Sequence, residues 1–85
     1  MHLEIITPLK KLYSDEVNLV KLPGTKGSFE ILKNHAPIVS SLESGTIKII
    51  DKKKQNVFYS ISGGVVECKS NNIVVLANSG EEAAE

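Results

Sequence analysis

Apolar and polar residues alternate along most of this chain. In LEIIT, residues 3–7, Leu3, Ile5 and Thr7 fall on one side. In TIKII, residues 46–50, Ile47 and Ile49 oppose Thr46 and Lys48, and in VFYSI, residues 57–61, Val57, Tyr59 and Ile61 oppose Phe58 and Ser60. A repeat of two is the signature of a strand with one buried face. The pattern predicts strands near 2–7, 10–14, 16–22, 28–32, 38–41, 45–51, 56–62, 64–69 and 72–77. Turn signals punctuate them: Thr7-Pro8, Tyr13-Ser14-Asp15, Pro23-Gly24, Glu43-Ser44-Gly45, Asp51 to Asn56, Gly63-Gly64 and Ser70-Asn71-Asn72. Short strands at such intervals, with no helical pattern between them, predict an all-β fold, a two-sheet antiparallel β-sandwich.

The end of the chain reads differently. In SGEEAAE, Ser79 precedes Glu82 by the three residues of a capping box, and its acidic residues suit the first turn of a helix. Few residues follow, so the expectation is at most a short, frayed helical turn. The predicted organisation is one domain over 1–78 and a short acidic tail over 79–85.

Composition supports the pattern and narrows the chemistry. Eight Val, nine Ile and three Thr stand against four Ala, a bias toward side chains that suit a pleated surface. Eighty-five residues bury one modest core, which leaves little room for an enclosed active site. Ten basic and ten acidic side chains cancel, so no charge footprint for nucleic acid or an anionic membrane is present. The single cysteine, Cys68, forms no internal disulfide and supplies no thiolate zinc site. No apolar run approaches the ~20 residues of a membrane span, and MHLEIITP lacks the features of a signal peptide.

The one internal histidine, His35, sits in Asn34-His35-Ala36-Pro37. Proline holds Ala36 extended and Asn34 tolerates the left-handed region, which makes a stiff corner presenting an imidazole. Such a corner serves either an internal hydrogen bond or a contact with a partner. Catalysis would need Ser40, Ser41 or Cys68 as nucleophile, and none lies in a recognisable nucleophile motif. His2 and His35 have no paired metal-ligand spacing, and no metal or cofactor is expected. The segment GTKGS, residues 24–28, lacks phosphate-loop spacing and is followed by a predicted strand. Pro23-Gly24 suits a type II turn, Gly63-Gly64 a bulge or tight corner, Lys52-Lys53-Lys54 a solvated hairpin end, and Cys68 a small core position.

In this order and spacing, LEIITP, LYSDEVNLVKLPGTKGSFEILKNHAPIVSSLESGTIKI and FYSISGGVVECKSNNIVVLAN resemble the N-terminal domain of the epsilon subunit of bacterial F-type ATP synthases. The resemblance runs along nearly the whole chain. It implies a β-sandwich at the foot of the rotating central stalk, with no catalytic residue of its own, peripheral to the cytoplasmic face of the bacterial plasma membrane. It implies contact with the gamma subunit through His35, Ala36, Pro37, Ile38, Ser40 and Leu42. It implies contact with the membrane c-ring through Gly24, Thr25, Lys26, Gly27, Ser28 and Phe29. Lys33 stands where the family often has proline, and Glu30 where glycine is common. Family members usually continue into two C-terminal helices, and the seven residues from Ser79 are too few for that pair. Two other readings stand beside it: a free-standing sandwich that binds a small ligand or peptide at the His35 corner, and an enzyme using His35 and Cys68.

Overall fold

The structure is a computed structural model and describes residues 1–84. Seven strands are formed: β1 (His2–Ile6), β2 (Lys11–Leu22), β3 (Phe29–Leu32), β4 (Ile38–Asp51), β5 (Asn56–Lys69), β6 (Asn72–Ala77) and β7 (Gly80–Ala83). They follow the order β1-β6-β5-β4-β2-β3, with β7 beside β5, and β1 also pairs with β2, so the sheet closes on itself. All pairings are antiparallel except β1–β6. The result is the expected β-sandwich, with its two halves joined by strands long enough to serve both.

Those long strands depart from the sequence pattern. Tyr13-Ser14-Asp15 and Glu43-Ser44-Gly45 are not turns but the interiors of β2 and β4. Their polar side chains read as breakers, yet they sit on open strand surface where water solvates them. β2 pairs with β1 up to Glu16 and with β4 from Val17, and its register slips between Val17 and Leu19.

The β4–β5 hairpin shows why the bend is necessary. Fourteen residues per strand would reach about 46 Å at a strand's rise of ~3.3 Å, yet the molecule's longest dimension is 27 Å. The hairpin must therefore fold over. It does so at Gly63 and Gly64, with φ 115° and 156°. A Cβ on Gly64 would stand 2.2 Å from the Leu76 carbonyl oxygen, so only glycine fits. β5 stays paired with β4 across the bend, and pairs with β6 beyond it and β7 before it.

The tail is thus strand over Gly80–Ala83, not the start of a helix; Glu85 lies outside the described residues. Its backbone finds a ready edge on β5, with Phe58 to Ile61 opposite Ala83 to Gly80. Pairing against an existing strand satisfies its amides at once, whereas a few-residue helix would have to nucleate alone.

The core fills the space between the halves. Leu3, Ile5, Val66, Ile73 and Val75 from one meet Val20, Leu22, Ile31, Ile47 and Ile49 from the other, all essentially without exposure. Among the described residues no polar or charged residue is fully buried. Tyr59 reaches the surface to donate its hydroxyl to the Leu12 carbonyl at 3.1 Å, and its ring meets that of Tyr13 edge-on at 5.7 Å.

Candidate functional site

The segment after β3 forms the stiff corner its sequence predicts. Asn34 adopts φ 65°, and the His35 amide donates to the Leu32 carbonyl at 3.1 Å, closing the turn. His35 Nδ1 lies 2.7 Å from the Ala36 carbonyl oxygen. A carbonyl only accepts, so Nδ1 carries the hydrogen and the neutral ring keeps Nε2 as an acceptor. The imidazole is half-buried, with one nitrogen committed inside the corner. Ala36 and Pro37 are exposed beside it.

Strand alternation then divides the residues that follow. Leu42 is in the core at 4% exposure, Ile38 packs against it, and half-buried Ser40 donates its hydroxyl to the Ser41 carbonyl at 3.3 Å. Leu42 is therefore not available as a surface contact in the folded chain. Val39, 70% exposed, and Ser41 face outward instead. The sequence carried this signal: if Leu42 is core, residues two and four before it share its face.

Val39 and Ser41 begin an apolar outer face. One row across the sheet runs Ser41, Val65, Leu76, Ile6, and the next runs Val39, Glu67, Val74, Glu4. Leu76 is 51% exposed, and Leu9, in the loop just past Ile6, is 93% exposed. Ile6, Pro8 and Leu76 border a shallow groove of about 340 Å³. Polar pairs rim the face: the Lys11–Glu4 ion pair at 2.8 Å, and the His2–Glu16 hydrogen bond at 3.0 Å.

The segment 24–28 caps this face at the end away from His35. It is not a type II turn on Pro23-Gly24, since Gly24 lacks the positive φ such a turn needs at that position. Instead the Gly27 amide donates to the Gly24 carbonyl at 3.0 Å, with Gly27 at φ 119°. Gly24 is required for close approach, because a Cβ there would meet the Gly27 oxygen at 2.6 Å and the Phe29 ring at 2.8 Å. Gly24 is buried and bridges Leu42, the Thr25 amide donates to the Ser41 carbonyl, and the Glu43 amide donates to the Pro23 carbonyl. Phe29 is half-buried against the core, leaving Thr25, Lys26, Gly27 and Ser28 as an exposed polar tip. The tip and the first half of β4 thus form one rigid unit.

Nothing nearby offers chemistry of a catalytic kind. Cys68 faces the core, and burial pushes its thiol up, away from the reactive thiolate. Among the described residues no group of three His, Cys, Asp or Glu side chains could hold a metal ion. The depressed carboxyls lie on β1 and β2: Lys11 hydrogen-bonds Glu4, the Glu16 amide and then Lys52 hold Asp15, and His2 holds Glu16. Among the described residues no helix is long and apolar enough to cross a membrane.

An apolar sheet face thus lies between a stiff corner and a polar tip on a closed β-sandwich. Residues 1–83 match the profile of the family described as ATP synthase, Delta/Epsilon chain, beta-sandwich domain. The chain belongs to that family. An ATP synthase epsilon chain of Campylobacter curvus is 41% identical over 78 residues, covering 92% of this chain; the match spans 60% of that relative's length. Two solved assemblies share the fold: the Euglena gracilis mitochondrial ATP synthase, OSCP/F1/c-ring (TM-score 0.88, 17% identity, 94% of this chain and 51% of that one), and the Tetrahymena thermophila mitochondrial ATP synthase central stalk and c-ring (TM-score 0.79, 19% identity, 94% and 64%).

Proposed function

We propose that this chain is a central-stalk subunit of a bacterial F-type ATP synthase that links the gamma subunit to the c-ring, without catalytic residues of its own. The observation that carries this reading is the apolar outer face of Val39, Val65, Leu76 and Ile6, bounded by the His35 corner at one end and the Thr25–Ser28 tip at the other. Leu9, Val39 and Leu76, three of the four most exposed large apolar residues described, lie on this side and the fourth, Leu32, on the other; such a grouping on so small a domain marks a protein contact. The gamma subunit covers the corner and the adjoining face, through His35, Ala36, Pro37, Val39 and Ser41. The c-ring's polar loops meet the tip, whose backbone bonds to β4 let it dock with little ordering cost. A rigid body gripping both partners transmits torque between them, so its contribution is mechanical, at the cytoplasmic side of the membrane and peripheral to it.

The relative's name, and the c-ring in the titles of both assemblies, support this reading. A small-ligand site at the His35 corner has less support, because the grooves of about 380 and 340 Å³ lie elsewhere, one lined by Ser44, Ser60, Ser62 and Ser79, the other by Ile6, Pro8 and Leu76. The test is titration of purified cognate gamma subunit by calorimetry, with size-exclusion chromatography alongside. Micromolar or tighter binding at one-to-one stoichiometry and coelution are expected. A chain indifferent to gamma would overturn the assignment.

A further inference from the structure

The residue that holds the His35 corner in shape is not in the corner. Asn71 lies 37 positions after Asn34, and its side-chain oxygen accepts the Asn34 backbone amide at 2.7 Å. Its side-chain nitrogen donates back to the Asn34 side-chain oxygen at 3.2 Å. Both ends of one amide thus engage a residue whose backbone is in the left-handed region. Asn71 is itself firmly held: it is the second residue of the two-residue Ser70-Asn71 turn between β5 and β6, and its carbonyl accepts the His2 amide at 2.9 Å. That bond ties it to β1 at the closure of the sheet, where His2 is in register with Asn72.

We infer that Asn71 is a positioning residue for partner recognition: it clamps the Asn34-His35-Ala36-Pro37 corner to the closed end of the sheet, so that the imidazole is presented in one orientation before docking. This rests on the docking reading above. The bland account of Asn71 is turn chemistry alone. Both turn residues have positive φ, 51° at Ser70 and 63° at Asn71, and asparagine tolerates that region. The two accounts separate sharply, because glycine meets the demand for positive φ at least as well as asparagine. If the turn were the whole role, Asn71→Gly would be harmless. If the side chain is a clamp, the same change frees the corner while sparing the turn. The freed loop must then be ordered on binding, and only the fraction already in the right shape associates productively.

Four variants of the full chain test this. In Asn71→Gly, the Asn34 amide should exchange with solvent at least tenfold faster by NMR, the melting temperature should stay within about 3 °C, and affinity for gamma should fall about tenfold, mainly through slower association. In Asn71→Asp, the carboxylate still accepts the Asn34 amide and the Asn34 side chain can turn over to donate to it, so protection and affinity should return to within about twofold of wild type. His35→Ala, which removes the presented group, should make the further change Asn71→Gly nearly silent in affinity. Unchanged Asn34 exchange in Asn71→Gly would overturn the clamp. Wild-type affinity in a variant whose Asn34 exchange has accelerated would overturn its role in recognition, with the docking reading left standing. Failure of the wild-type chain to bind gamma would overturn that reading, and this one with it.

Discussion

The two outer faces of this sandwich share strands β4 and β5 and differ in how their apolar and polar residues are arranged. Along the first half of β4, outward positions carry Val39 and Ser41, continued by Val65, Val74, Leu76 and Ile6 on neighbouring strands. Past the bend, the same β4 and β5 present Thr46 beside Ser60, then Glu81 of β7; Lys48 lies between Lys21 and Phe58, and the next outward row, Leu32, Leu19 and Ile50, is apolar, with Leu32 50% exposed. Both halves contribute inward residues to one core, so folding cannot explain the difference. Covering exposed Val39 and Leu76 removes apolar surface from water, a gain that the row of Thr46, Ser60 and Glu81 does not offer. The contrast teaches that the buried alternation encodes the fold, and that the outward positions encode what the fold meets.

The most damaging change should remove the bend that separates the faces. Gly64→Ala puts a methyl group against the Leu76 carbonyl, and a loss on the order of 3 kcal/mol is expected in urea denaturation; a loss under 1 kcal/mol would show that the hairpin bends elsewhere. Next come matched charges on the two faces. Val39→Glu should weaken gamma binding at least a hundredfold with little change in melting temperature, because an unpaired carboxylate would be buried at the contact. Thr46→Glu, in the row of Ser60 and Glu81 on the other face, should change it less than threefold. Equal effects from the two would erase the functional distinction between the faces.

His35→Ala should cost about 1–2 kcal/mol of binding through the lost acceptor at Nε2, with the fold intact. Loss of thermal stability at unchanged affinity would assign the ring to the corner alone. Lys26→Glu reverses one exposed charge on the tip, so assembly with the c-ring should change only severalfold, and less at high salt; identical proton-driven synthesis in reconstituted vesicles at low and high salt would remove the tip from that contact. The smallest effect is on pH. Glu4, Asp15 and Glu16, ordinarily near 4.5, 3.8 and 4.5, are all held lower when folded. Their stabilising contribution is therefore complete above those ordinary values and is lost as pH falls below them through the folded values. All three reach solvent on β1 and β2, Glu16 most fully, so the melting temperature should decline gently below about pH 4.5, and Glu16→Gln should flatten the decline. An unchanged slope would show that the His2 pair contributes nothing.

Residue order alone determined the strand pattern, the core and the corner. Leu3, Ile5, Ile47, Ile49 and Tyr59 are inside because alternation in a strand admits only two faces, and Asn34 is left-handed because the step to Ala36-Pro37 needs a stiff reversal. The tertiary structure decided what depends on partners distant in sequence. Ser79 to Glu82 has the local signature of a helix start, yet β5 offers an open edge and the backbone takes it. Pro23-Gly24 has the signature of a type II turn, yet Gly24 is spent on close approach to Phe29 and Leu42. Glu43-Ser44-Gly45 has the signature of a turn, yet it continues a strand that must serve both halves. The pairing of Asn34 with Asn71 was invisible for the same reason: two asparagines 37 positions apart become neighbours only once β4 pairs with β5, with Ile38 opposite Cys68. Local sequence encodes preferences of at most a few kcal/mol, and backbone pairing and burial, summed over the closed sheet, outweigh them.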